Sequence, residues 1–135
     1  MRPIPVGAKG TYSLKVMPAH LANQFKDISL PKVFATPMMI TAMENAALNA
    51  VRDYLDPGES AVGTAVNIRH LAATPVGHRV TAEAVVTKVE GRRIEFTVSA
   101  RDEIEEIGNG THERMVVDMG RIDQRLVAKR PDLQG

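Results

Sequence analysis

From Gly58 onward, apolar and polar residues alternate with a period of two. Residues 62–70, 78–90, 92–102 and 106–119 are therefore predicted strands, because alternate side chains of a strand share a face. Ile94, Phe96, Val98 and Ala100 line one face of theirs, and Met115, Val117 and Met119 line one face of the last. Glu90-Gly91 signals a tight turn between the second and third of these strands. Asn109-Gly110 is a turn pair too. A turn there would leave the last strand short, so the pair is expected as a bulge inside it. Upstream, Thr11–Val16 alternates over a shorter stretch and predicts another strand, ended by Pro18. Residues 19–34 show no clear period, apart from a short helix near Leu21 to Phe25.

Residues 37–55 form the longest helical pattern. Thr36 is the expected N-cap, Pro37 suits the first helical position, and Asp56-Pro57-Gly58 stops the run. Thr41, Asn45, Asn49, Arg52 and Asp53 make one polar stripe, and nearly everything else is apolar. So wide an apolar arc predicts a helix largely enclosed by the rest of the protein. One strand, a long buried helix and four further strands argue for an α+β fold with a mostly antiparallel sheet wrapped on the helix.

The 135 residues allow one domain, expected over 1–127 with a C-terminal tail at 128–135. A share of 44% hydrophobic and 24% charged residues is that of an ordinary globular chain. Seventeen basic against 16 acidic residues give a net charge of +1, too even for a nucleic-acid coat or an anionic membrane surface. Cysteine is absent, which removes disulfides, thiolate metal sites and thiol nucleophiles. No signal peptide is expected in Met1–Gly7, and no apolar run is long enough to span a bilayer, so a cytoplasmic location is expected.

Three residues stand out. Glu44 lies off the polar stripe, among Ile40, Ala47, Leu48, Val51 and Leu55. A carboxylate there loses water and must find a partner, for structure or for chemistry, unless it sits at the edge of the buried face with its tip in water. His70 closes its strand just before Thr74-Pro75, a place that suits an edge residue or an acid–base group. Thr36 is a cap, or else a hydroxyl beside free backbone N–H groups that stabilise negative charge. His112 and Arg114 share parity on the last strand and point the same way. Arg114 is a cation for a carbonyl or carboxylate, or an exposed partner of a glutamate across the sheet. His20 and His78 have no supporting context. No pair of histidines has metal-ligand spacing and no glycine-rich phosphate loop follows a strand. Met38, Met39 and Met43 read as core filling. Arg121, Arg125, Lys129 and Arg130 read as a solvated face.

Six segments, in order and spacing, resemble the fluoroacetyl-CoA thioesterase family. They are Val33-Phe34-Ala35-Thr36, Met43-Glu44-Asn45-Ala46, Val62-Gly63-Thr64-Ala65, His70-Leu71-Ala72-Ala73-Thr74-Pro75, Val89-Glu90-Gly91-Arg92-Arg93 and Ile107-Gly108-Asn109-Gly110-Thr111-His112-Glu113-Arg114. The resemblance covers about residues 6–127. It implies a hot-dog fold and a homodimer, with higher assembly left open, whose active sites lie at the subunit interface. It implies hydrolysis of an acyl-CoA thioester, with Thr36, Glu44 and His70 catalytic and Gly63 and Arg114 on the substrate. It implies no cofactor beyond the coenzyme A of the substrate, no metal, no nucleic acid and no membrane. Glu44 is nucleophile or general base, His70 acid or base, and Thr36 a positioning hydroxyl. Phe25–Lys32 is shorter and less aromatic than the lid of the fluoroacetate-specific member. Pro37-Met38 replaces that member's glycine and phenylalanine. Selection for a fluorinated acyl group is thus not implied, and Met and Ala of the helix are expected to line the pocket. A non-catalytic acyl-CoA binder and a hot-dog hydratase or dehydratase are the alternatives. The latter class pairs an aspartate with a histidine, a pairing this sequence lacks.

Overall fold

The computed structural model describes residues 1–130. Strand β1 (Lys9–Lys15) leads through a 3₁₀ turn (Pro18–His20) and short helix α1 (Ala22–Phe25) to helix α2 (Thr36–Val51). Strands β2 (Glu59–His70), β3 (Arg79–Glu90), β4 (Arg93–Arg101) and β5 (Glu106–Asp118) follow, then helix α3 (Met119–Lys129). The five strands form one antiparallel sheet in the order β1-β3-β4-β5-β2. The expected α+β architecture is therefore present: a curved sheet holding one long helix, the hot-dog arrangement.

The core lies between α2 and the inner sheet face. Phe34, Met39, Met43, Ile94, Phe96 and Ile107 fill it, with Ala42, Ala46, Ala47 and Ala50 on the helix side that meets β1 and β3. That side is small for a reason. A Cβ on Gly10 of β1 would lie 2.2 Å from the Ala46 carbonyl oxygen, so helix and strand meet backbone to backbone.

Several expectations need correction. The helix turns 3₁₀ at Arg52–Tyr54, ahead of Asp56. Ala35 is the N-cap of α2, and Thr36 is its first residue. Asn109 and Gly110 pair regularly with Ser99 and Val98, so the bulge of β5 falls at Ile107 instead. Two further bulges sit at Thr64 in β2 and Thr87 in β3. Met115 and Val117 share one face of β5, the outer one, while Met119 opens the helix that follows instead of ending the strand; Ile107, Gly108, His112, Arg114 and Val116 are the buried residues.

Helix α3 was not foreseen. Asp118 caps it by accepting from the Arg121 N–H at 3.1 Å. Ala128 and Lys129 of the expected tail belong to this helix or its end, and 131–135 lie outside the described residues. Among the described residues, no helix is long and apolar enough to cross a membrane.

Strand β2 is an edge. It pairs with β5 along its length apart from Thr64, and among the described residues its other side has no partner strand. Val62 and Val66 on it are 39% and 42% exposed. Twelve residues of open, partly apolar edge is a surface that seeks another strand.

Candidate active site

The residues singled out in the sequence gather into two clusters on α2 and β2. The first joins the start of α2 to the end of β2. Thr36 Oγ1 stands 2.8 Å from His70 Nδ1. Because Ala35 holds the N-cap position, the Thr36 hydroxyl is left to the imidazole. The Nε2 atom of His70 is buried and, among the described residues, has no hydrogen-bond partner. Burial lowers the His70 pKa, with the Ala72 backbone offsetting part of the effect, so the neutral ring is favoured. Val33, Leu71, Ala72 and Ala73 complete an open cavity of about 300 Å³ around this pair.

The second cluster lies two helical turns further on. A Cβ added to Gly63 would come 2.7 Å from Glu44 Oε2, 3.3 Å from His112 Cε1 and 3.8 Å from Arg114 Nη1. A carboxylate, an imidazole and a guanidinium thus converge on the one residue without a side chain. The Glu44 side chain remains 38% exposed, so the carboxylate sits at the edge of the buried face with its tip open to water. Arg114 is buried, contrary to the exposed alternative. Its Nε and Nη2 donate to the Ala61 carbonyl at 3.0 and 2.6 Å, and its Nη1 to the Glu44 carbonyl at 3.3 Å. The Arg114 Nη1 to Glu44 Oε2 distance is 4.0 Å, an ion pair without a hydrogen bond. Burial lowers the Arg114 pKa and the Glu44 charge opposes the shift.

The Thr64 bulge puts both clusters on one side of the sheet. Gly63 pairs with Arg114, and Val66 with His112, both inward-facing; His70 follows Val66 by an even count. Seven residues on a regular strand would set Gly63 and His70 on opposite faces, and one extra residue restores them to the same face.

Other candidates play no part here. His20 Nδ1 accepts from the Met17 N–H at 3.0 Å. His78 Nδ1 lies 4.0 Å from Asp102, which is itself held by Thr74 and two backbone N–H groups. Arg121 and Arg125 lie with Arg92 along a separate cleft by α3. Among the described residues, no group of three or more His, Asp or Glu is placed to hold a metal.

Residues 16–120 match the family described as fluoroacetyl-CoA-specific thioesterase, FlK. The fluoroacetyl-CoA thioesterase of Streptantibioticus cattleyicolor is 41% identical over 131 residues, covering 93% of this chain and 94% of that one. The chain belongs to the fluoroacetyl-CoA-specific thioesterase family. A solved structure of the thioesterase FlK superposes with a TM-score of 0.90 at 39% identity, over 96% of this chain and 99% of that one. An FlK mutant at 41% identity, with a TM-score of 0.83 over 87% and 98% of the two chains, was solved with fluoroacetate and CoA. A hot-dog-like protein from Thermanaerovibrio acidaminovorans, 24% identical, shares the fold with a TM-score of 0.84 over 95% and 94% of the two chains.

Sequence reasoning found five of the residues in these clusters and left one without a role. His112 is 4% exposed and touches the Glu44–Gly63–Arg114 group. Its parity with Arg114 was the available signal.

Proposed function

We propose that this chain hydrolyses acyl-CoA thioesters to a carboxylic acid and CoA, at sites shared by two copies in a cytoplasmic homodimer. The observation that carries the reading is the Glu44 carboxylate: accessible, beside a cation, and against a glycine backbone. No lone pair of it is tied up by Arg114.

The chemistry follows from the groups. Glu44 either attacks the thioester carbon, forming an anhydride that water then opens, or takes a proton from the attacking water. The C–S bond breaks, and the departing sulfur takes up a proton. His70 supplies or receives protons through its free Nε2, with its ring oriented by Thr36. Arg114 places positive charge beside the carbon that becomes tetrahedral. The backbone at Gly63, open to close approach, serves the thioester oxygen. No cofactor or metal enters these steps.

Distances within one copy support a shared site. Gly63 and His70 are seven residues apart along a strand, roughly 23 Å. Thr36 and Glu44 are eight residues apart along a helix, about 12 Å. A single thioester group does not bridge such gaps. Antiparallel pairing of two β2 edges about a point between Val66 and Asn67 sets His70 of one copy opposite Gly63 of the other. Thr36 and His70 of one copy then meet Glu44, Gly63 and Arg114 of the second.

The test is release of free thiol from acetyl-, fluoroacetyl-, medium-chain and aromatic acyl-CoAs. Turnover of one class is expected, reduced about 10²–10⁴-fold in Glu44→Gln and His70→Ala. Absence of turnover across the panel, with acyl-CoA still bound, would replace this reading with a binding protein.

A further inference from the structure

His112 is buried on the inner face of β5, stacked on Phe96 with ring centroids 5.8 Å apart, and has no part in the scheme above. Its Nδ1 lies 2.8 Å from the Ala65 carbonyl oxygen and its Nε2 lies 3.1 Å from Arg114 Nη1. A carbonyl only accepts and a guanidinium only donates. The ring is therefore neutral, with its proton on Nδ1 and a lone pair on Nε2. A second proton on Nε2 would set N–H against N–H beside a cation. Burial first, then the charge of Arg114, lower the His112 pKa accordingly.

Four of the donors of Arg114 are placed by its hydrogen bonds. A guanidinium has five N–H groups. Nε and one Nη2 hydrogen go to the Ala61 carbonyl. The two Nη1 hydrogens go to the Glu44 carbonyl and to His112 Nε2. Both hydrogens of the nitrogen nearest the Glu44 carboxylate are thus committed elsewhere, and the carboxylate stands at 4.0 Å. Without the His112 acceptor, an Nη1 hydrogen is left unpaired in a buried site beside an anion. Closing onto that anion is the most favourable remedy, since charge-assisted bonds are the strong ones.

We propose that His112 is a positioning residue that holds Arg114 off the Glu44 carboxylate, leaving the carboxylate free to act on substrate with a positive charge beside it. The same ring and guanidinium bond to Ala65 and Ala61, on either side of Gly63 and the Thr64 bulge. One network therefore sets the cation and steadies the strand backbone that the substrate meets. The other charge that acts on the ring is Glu113, its neighbour on β5; Glu95 of β4 pairs with Glu113 on the outer face and lines the adjoining cleft, and β2 presents backbone there.

This proposal rests on the thioesterase reading for its kinetic consequence, and its structural half stands apart. The two ring nitrogens are separated by paired variants. The amide N–H of His112→Asn keeps a donor near the Ala65 carbonyl and loses the acceptor for Arg114. The longer His112→Gln carries an acceptor to Arg114. Expected is a kcat about tenfold or more lower in His112→Asn, with KM little changed. The acid limb of its kcat–pH profile moves to lower pH, because an Arg114-paired carboxylate is harder to protonate. His112→Gln regains most of kcat. A crystal structure of His112→Asn is expected to show Arg114 Nη1 within hydrogen-bond reach of the Glu44 carboxylate. Equal losses in both variants that follow unfolding temperature, with the acid limb fixed and Arg114 unmoved, would mean that His112 only fills space. Nitrogen-15 NMR of the wild-type imidazole decides the premise even where a variant does not fold. The Nδ1–H tautomer at neutral pH supports the proposal, and a protonated Nε2 overturns it. If the wild type releases no thiol, the thioesterase reading fails, while the NMR and crystal structure still judge the restraint on Arg114.

Discussion

Glu44 Oε2 rests so close to Gly63 that one added methyl group on the strand would stand 2.7 Å from it. The carboxylate of a helix and the backbone of a strand share a volume that only glycine leaves open. Gly63→Ala is therefore expected to push Glu44 aside while leaving the strand extended. A displacement of the order of 1 Å at a reacting group costs about 100-fold in rate. The check is kcat for thiol release beside the thermal unfolding midpoint: a large fall in the first with a small change in the second. A fall confined to the midpoint would make Gly63 a packing residue.

Thr36 offers a contrast between two roles. Losing a true N-cap costs about 1 kcal/mol of stability. Ala35 holds the N-cap position, and Thr36 gives its hydroxyl to His70. Thr36→Ala is expected to lower kcat tenfold or more. Its urea-unfolding midpoint should stay near that of the wild type. A stability loss of cap size with unchanged kcat would reverse the assignment.

A shared site predicts complementation. Glu44→Gln and His70→Ala homodimers, each impaired, are mixed and allowed to exchange subunits. Half the dimers become mixed, and each mixed dimer holds one intact site of two. Activity is expected to climb to about a quarter of wild type. No recovery after exchange, verified by native mass spectrometry, would place the whole site within one copy.

Stability carries a pH signature. Burial lowers the pKa of both His70 and His112. Below the ordinary histidine value of about 6.5, the unfolded chain therefore binds more protons than the folded one. Both groups leave stability intact above that value, weaken it as pH falls through it, and stop contributing to the slope below their folded values. Urea midpoints measured from pH 8 to pH 5 should decline. His70→Gln and His112→Gln should each flatten the decline, and a slope unchanged in both would refute the linkage.

The regular elements were legible because their periods are physical. Helix α2 and the long strands each bury one face, and period 3.6 or 2 follows from that. The inner face of β5 stayed hidden for the opposite reason. Met115 and Val117 look like core, while His112 and Arg114 hold the buried positions. Polar groups go inside there because the carbonyls of Ala61, Ala65 and Glu44 receive their hydrogens. Nothing in a local pattern of apolar residues reports carbonyls supplied by another strand and a helix. Val62–His70 likewise reads as unbroken, and the bulge at Thr64 emerges only from pairing with β5. Helix α3 hid behind Gly120 and a run of charges, although Asp118 as cap with Ile122 and Leu126 at helical spacing was a usable signal.

The close seating of Gly10 against Ala46 has a consequence for how this scaffold changes over generations. A side chain at Gly10 would meet the backbone of Ala46 and Ala50 and could enter only by lifting the helix, carrying Glu44 away from Gly63. The Glu44 carboxylate is thereby fixed from behind, and Gly10 is closed to drift. Freedom lies instead on the rim at Val33, Leu71, Ala72 and Ala73, where side chains can exchange without moving the helix. A lineage built this way can alter its margin while the contact between Glu44 and Gly63 stays in place.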